Sequence, residues 1–216
     1  MTFKKYIARK TFKLRQWLSL TLLDSNRRKM RKRASERMGK LKLILDNSNK
    51  IRGGDILLLA VGRDEGHRIK HFIKYYSDLG IDHFLFIDNN SADPIADQVR
   101  EYDNITLFYT DDSYSESLYG VDWLNALLRK YCCGHWTLTV DLDEYLVYPE
   151  IEITSLPQLV KSLEANDQDF LYTPLIDMYP KGRIQDATIE KSCSPLDIAP
   201  YFDGAGYSYG RGGNGE

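Results

Sequence analysis

Cysteine is scarce in this chain of 216 residues, with only Cys132, Cys133 and Cys193 present. Two of them are adjacent, the number is odd, and no Cys-x-x-Cys spacing occurs. Neighbouring cysteines rarely bridge each other, so a disulfide framework and a zinc knuckle are both excluded, and a reducing cytoplasm fits best. Long apolar runs are missing as well. The most apolar part of the N-terminal region, Trp17 to Leu23, is seven residues long and includes Ser19 and Thr21. That is too short for a membrane span and poor as a signal-peptide core. What remains is a globular composition, 43% hydrophobic and 28% charged, which is neither disordered nor membrane-spanning.

Charge of one sign is missing locally. The formal net charge is -2, yet residues 1–50 hold 16 Lys and Arg against 3 Asp and Glu. Residues 51–216 reverse this, with 13 basic against 28 acidic side chains. A basic leader therefore precedes an acidic body, and each needs its own explanation. In the leader, Phe3, Ile7, Leu14, Leu18 and Leu22 recur at helical spacing among Lys4, Lys5, Arg9, Lys10, Lys13 and Arg15. The polar break Asp24-Ser25-Asn26 caps a second basic run, Arg27 to Arg33. Residues 1–33 thus read as a surface-lying anchor with cations on anionic lipid. The competing reading is a helix pair packed on the acidic body. A basic helix alone is poor grounds for a nucleic-acid partner, and none is expected.

From residue 51 the pattern alternates. Ile56 to Val61 is a continuous apolar run between glycines, the mark of a buried parallel strand. Ile69, Phe72, Ile73, Tyr76 and Leu79 share a helix face that Gly80 terminates. Phe84 to Ile87 forms a second strand, and Asp93-Pro94 reads as a helix cap with proline at the first helical position. Ile105 to Tyr109 is a third strand, and Ser113 with Glu116 has capping-box spacing before a helix bearing Leu124, Leu127, Leu128 and Tyr131. Trp136 to Val140 is a fourth strand; a helix near 156–163 and a strand near 170–176 follow. This β-α-β-α-β-α-β alternation predicts an α/β fold with a mostly parallel sheet flanked by helices. Glycines crowd residues 201–216, which read as a flexible tail.

The acidic residues fall where such a fold binds ligands, at strand C-terminal ends. Arg63-Asp64-Glu65, Asp88, Asp111-Asp112 and Asp141-Leu142-Asp143 each follow an expected strand. Residues two apart on an extended strand end point the same way, so Asp141 and Asp143 can face one site. Carboxylates of this kind suit Mn²⁺ or Mg²⁺, which then bind a ligand's phosphates. The alternative is a pair of solvated loop carboxylates. His67 and His71 stand four apart on a helix, but surface or capping roles fit them better than metal ligation, and His83 and His135 read as structural.

Trp136-Thr-Leu-Thr-Val-Asp-Leu-Asp-Glu-Tyr-Leu-Val-Tyr-Pro149 resembles the DxD segment of glycosyltransferase family 2-like proteins. Val61 to Arg68 is similar to that family's first-strand signature, Leu79 to Asp93 to its second-strand segment, and Asp177 to Pro180 to a later motif. The resemblance covers residues 52–210 and implies a GT-A fold over 51–200, Rossmann-like in its sheet, binding a nucleotide-sugar, with residues 1–50 as a basic helical extension. By carry-over it places Arg63 and Glu65 on the nucleotide pocket, Asp88 near the base or ribose, Asp141 near ribose or metal, and Asp143 on the metal. Asp64 departs from the family's Asn. Glu144 is a weak candidate for the general base. No acceptor-side base emerges between 178 and 216, and the family runs on past this point, which implies a truncated chain.

The expected activity is therefore metal-dependent transfer from a nucleotide diphospho-sugar, a UDP-sugar first, to a glycan or lipid-linked envelope acceptor, with inversion. The resemblance and the basic leader together imply a cytoplasmic protein, peripheral at the inner face of the membrane. The alternative is a GT-A domain that binds nucleotide-sugar or a partner without turnover. A phosphatase using DxDx(T/V) fits poorly because Tyr145 holds the last position. A nucleotidyltransferase would want a glycine-rich phosphate loop, which Gly62 to Gly66 does not supply.

Overall fold

The computed structural model describes residues 25–183 and 195–205. The helix expected over Phe3 to Leu22, and the tail from residue 206 onward, lie outside the described residues. Two units divide after Val160.

The first unit opens with helix α1 over residues 25–38. Then come β1 (Lys42–Leu45), a 3₁₀ turn (Ser48–Lys50), β2 (Leu57–Gly62), α2 (Gly66–Leu79), β3 (His83–Asp88), α3 (Ile95–Val99), β4 (Ile105–Tyr109), α4 (Val121–Tyr131) and β5 (Thr137–Thr139). Helix α5 (Leu156–Ala165) begins in this unit. The sheet runs β1-β4-β3-β2-β5, with β1 antiparallel to β4 and the other pairs parallel. This is an α/β fold with a five-stranded, mostly parallel sheet flanked by helices, a Rossmann-like arrangement.

Alternation along the central strands splits the core in two. Leu58, Ala60, Phe84, Phe86 and Leu107 face Ile69, Phe72, Ile73 and Tyr76 of α2, with Ile95 and Val99 of α3. Leu57, Leu59, Leu85, Ile87 and Phe108 face Trp123 and Leu127 of α4. Both faces are therefore covered, which is why β2 and β3 read as unbroken apolar runs rather than alternating ones. Gly80, at φ 111°, ends α2 by donating its N–H to Tyr76 O at 3.1 Å.

The boundary expected at residue 51 is corrected. Leu41, Lys42, Leu43, Ile44 and Leu45 were hidden inside the basic leader, yet Lys42 pairs with Tyr109 and Leu45 with Leu107. Leu45, Met38 and Leu41 pack against the two halves of the core. Helix α1 is likewise part of this unit: Ala34 is buried, Arg33 pairs with Asp122 at 2.7 Å and Arg37 with Asp112. Arg33 and Arg37 of the basic leader thus neutralise carboxylates of the acidic body inside one sheet domain.

Two local expectations are also corrected. Pro94 is the residue before α3, not its first member, and Asp93 does not cap the helix. Ser113 Oγ does accept the Glu116 N–H at 3.3 Å, but this closes a turn, and α4 starts only at Val121. Leu118, Tyr119 and Gly120 have φ of 52°, 55° and 82°, and a run of left-handed residues interrupts any right-handed helix begun at Ser113.

In the second unit, residues 170–176 form no strand. Phe170, Tyr172 and Leu175 are exposed; apolar character without a neighbouring strand to pair with does not make a ladder. Tyr179 and Tyr201 form an antiparallel bridge, with N–H···O distances of 2.8 and 3.2 Å. Tyr179 Oη donates to Asp203 at 3.0 Å. A concavity of about 280 Å³ nearby is lined by Lys181, Arg183, Asp197 and Tyr201, none of them an expected site residue.

Candidate functional site

The order of strands fixes where a ligand crevice opens. From β2 the chain moves through α2 to β3 on one side, while β5 returns on the other side of β2. The crevice of such a sheet lies at the C-terminal ends flanking that reversal, here those of β2 and β5.

β5 hands over to Asp141-Leu142-Asp143 directly after Val140, whose N–H bonds Leu59 O at 3.2 Å. Leu142 points inward and is 2% exposed, while Asp141 and Asp143 are exposed. The inward turn depends on Gly62 at the end of β2. A Cβ at that position would lie 2.2 Å from Leu142 Cδ1. The missing side chain of one strand end is therefore the socket for the leucine of the other, and socketing it turns both aspartates outward.

The turn is then locked from within. Glu144 Oε2 accepts the Asp141 N–H at 3.0 Å, and the Glu144 N–H returns to Asp141 O at 3.0 Å. From below, buried Tyr76 donates its hydroxyl to Glu144 O and accepts the Leu146 N–H, both at 3.0 Å. Tyr75 donates to Leu146 O at 2.7 Å. Burial raises the Tyr76 hydroxyl far above its ordinary pKa, so it stays a neutral donor. Partial burial, then the Glu144 and Asp143 charges, raise the Asp141 pKa above the usual carboxylate value. Like charges crowded together favour a cation beside them.

The nearest resident cation is Arg68, in the first turn of α2. Its Nε lies 2.9 Å from Glu65 Oε2 and its Nη1 lies 3.8 Å from Asp143 Oδ2. Arg68 and Glu65 are thus brought to Asp143. Arg63 is exposed and 3.8 Å from its neighbour Asp64. His67 Nε2 accepts from Arg68 Nε at 3.1 Å. His71 packs on Tyr145, ring centroids 5.9 Å apart, and the His71 Nε2 and Tyr145 Oη have no hydrogen-bond partner among the described residues. Burial pushes the Tyr145 hydroxyl up to about 12.

Asp88 is a different case. Only 3% exposed, it accepts the Ser91 N–H at 2.9 Å and the Ile95 N–H at 3.0 Å. It caps α3 from the end of β3, doing what Asp93 was expected to do. Asp64 has φ 61° and accepts the Ala92 N–H at 2.7 Å. Its own N–H donates to Ser91 Oγ at 2.9 Å. The carboxylate ties two strand-end loops together, and a left-handed φ suits aspartate.

Among the described residues no group of three or more His, Cys, Asp or Glu is placed to hold a metal. Asp141 and Asp143 fit the sparser arrangement in which Mg²⁺ or Mn²⁺ takes one or two carboxylates and completes its shell with water and a ligand's phosphates. Sequence reasoning missed Gly62, Arg68, Tyr75 and Tyr76. Gly62 carried a signal as a glycine closing an apolar strand, Arg68 as the end of the Val61–Arg68 segment, and Tyr76 only as a member of the apolar face of α2. His83 and His135 are structural as expected: His83 meets Thr106 Oγ1 at 2.9 Å and His135 Nδ1 meets Asp55 O at 3.0 Å.

Compared with known proteins, the chain matches no family model and no curated protein. What its own structure defines is the class: an α/β domain with an acidic turn at the switch point of a Rossmann-like sheet. No helix among the described residues is long and apolar enough to cross a membrane.

Proposed function

We propose that the domain is a GT-A glycosyltransferase that binds a nucleotide diphospho-sugar, UDP-linked in the first instance, through a divalent metal on Asp143 and Asp141. One observation carries this reading: Leu142 is socketed under Gly62, which aims both carboxylates outward at the crevice beside β2. Asp143 and Asp141 would hold the metal, which would supply charge neutralisation to a pyrophosphate leaving group. Arg68, already beside Asp143, is placed to contact a phosphate oxygen. Arg63 and Glu65 belong to the same loop and line the nucleotide side. The acceptor is a glycan or lipid-linked sugar of the cell envelope, and transfer inverts the anomeric centre. The test is release of UDP from UDP-sugars on adding glycan acceptor. Release that requires Mn²⁺ or Mg²⁺ and disappears in Asp143→Ala supports the reading; metal-independent release rejects it.

A second reading, binding without turnover, is favoured by Glu144. Its Oε2 accepts the Asp141 N–H, which gives this carboxylate a part in building the turn. UDP-sugar binding with no release on any acceptor would select it.

The exposed cations Arg27, Lys29 and Arg31 of α1 extend the basic leader and suit a peripheral seat on an anionic cytoplasmic leaflet. Because deleting residues 1–50 would remove β1, charge reversal of these three is the cleaner test. It should abolish salt-sensitive binding to phosphatidylserine vesicles; unchanged binding would remove the membrane role of α1.

A further inference from the structure

The loop between β4 and α4 is strained, tightly held and aromatic. It is anchored from behind on two sides. The buried Asn89 amide donates to Thr110 O at 3.2 Å and Asp112 O at 3.1 Å. Arg33 and Arg37, one helical turn apart on α1, both donate to Glu116 O, at 2.9 and 3.0 Å, while pairing with Asp122 and Asp112. Inside the loop, buried Ser117 donates to Tyr114 O at 2.7 Å and accepts the Gly120 N–H at 3.0 Å.

These restraints hold Leu118 and Tyr119 at φ 52° and 55°, a conformation that costs free energy at each residue. Burial does not offset that cost, because Leu118 is 47% exposed and Tyr119 69%. A rigid frame that keeps large rings in solvent at the ligand edge of a sheet is the arrangement of a binding surface. The loop also reaches the C-terminal end of β2. Tyr114 Cε2 and Val61 Cγ2 lie 3.2 and 3.4 Å from where Gly120 would carry a Cβ, so the Tyr114 ring stands near Val61, on the sheet face opposite the Gly62–Leu142 contact. Burial first, then the Asp141 and Asp143 charges, raise the Tyr114 hydroxyl.

We propose that Tyr114 and Tyr119 form the wall of the site against which the sugar ring of the donor lies. This rests on the nucleotide-sugar reading above. The two rings meet edge-on, with centroids 5.8 Å apart and planes at 78°. A nucleobase sandwiched between aromatic faces needs them parallel, and this pair makes a corner instead. A corner suits a pyranose, whose C–H face covers one ring while its hydroxyls donate to the neighbouring carboxylates. The partial negative charge of the ring face attracts those polarised C–H groups.

The test is calorimetry on the full chain with Mn²⁺, titrating UDP and, separately, UDP-glucose, UDP-galactose and UDP-N-acetylglucosamine. At least one sugar should add affinity over UDP. Tyr119→Ala should lower that UDP-sugar's affinity about tenfold, the size of one aromatic contact, and leave UDP within about twofold. Tyr119→Gly removes the ring while relaxing the left-handed backbone, so an equal loss there rules out a folding effect. Tyr119→Phe should keep binding. Equal weakening of UDP and UDP-sugar would give the ring to the base and overturn the proposal, as would unchanged affinities, or no gain from any sugar in the unmodified chain. Failure of UDP itself to bind the unmodified chain would instead overturn the nucleotide-sugar reading, and this inference with it.

Discussion

Gly62→Ala tests how the acidic turn is built. The added Cβ would sit 2.2 Å from Leu142 Cδ1 and 3.3 Å from Leu142 Cγ. The first distance is far inside van der Waals contact, and Leu142 is 2% exposed with no solvent to retreat into. Forcing a methyl into a filled core costs about 1–3 kcal/mol. Leu142→Ala empties the socket and should cost about 2–5 kcal/mol. The two changes share one space, so they should not add. In the Leu142→Ala background Gly62→Ala should be close to neutral, which makes the coupling about 1–3 kcal/mol. Urea unfolding of the four proteins measures this directly. Additive losses, or a Gly62→Ala protein as stable as the parent, would refute the socket. If the socket also aims the carboxylates, Gly62→Ala should weaken Mn²⁺ binding in the presence of UDP, whereas a change elsewhere in the core of equal cost should not.

Other consequences follow from single contacts. Asp122 is 1% exposed and holds Arg33 at 2.7 Å; Arg33→Ala takes the partner from that carboxylate and should lower the urea midpoint clearly more than Arg31→Ala on the solvent side, and equal midpoints would deny the pair a part in stability. Burial pushes the His83 pKa down to about 4. The unfolded chain therefore takes up this proton first, at about pH 6.5, so stability should fall as pH drops from 6.5 towards 4, by up to about 3 kcal/mol. His83→Gln should flatten that slope, and an unchanged slope would assign it elsewhere. Arg68 lies 3.8 Å from Asp143 and would compete with a metal there, so Arg68→Gln should tighten Mn²⁺ alone by about fivefold while weakening UDP in the presence of Mn²⁺; an equal change in both would deny Arg68 a place at the site.

The sheet was legible because strands buried on both faces need unbroken apolar runs, and Leu57 to Val61 and Phe84 to Ile87 have them. Helix α2 was legible because Ile69, Phe72, Ile73 and Tyr76 repeat at helical spacing. β1 was not, since Lys42 and the surrounding cations masked an edge strand that is half exposed, with Leu43 at 45% and Ile44 at 51%. The position of the acidic turn followed from strand order. Its architecture did not: the Gly62–Leu142 contact joins residues 80 apart in the chain, and no local pattern encodes such a pairing. The capping by Asp88 was hidden for a related reason. A carboxylate at a strand end looks the same in sequence whether it faces a ligand or caps the next helix, and the distances to Ser91 and Ile95 assign it to the cap. The arginines of α1 show the same limit, because a basic run reads as a surface until its partners Asp112, Glu116 and Asp122 are found 75 to 89 residues away.

The central claim is that Asp143 and Asp141 hold a divalent metal that recruits a nucleotide diphosphate. Manganese electron paramagnetic resonance, with and without UDP, measures it most directly. The free Mn²⁺ signal should be lost on adding the protein with UDP, and should persist with UDP and Asp143→Ala. Equal Mn²⁺ uptake by the parent and Asp143→Ala, or no uptake by the parent with UDP present, would contradict it.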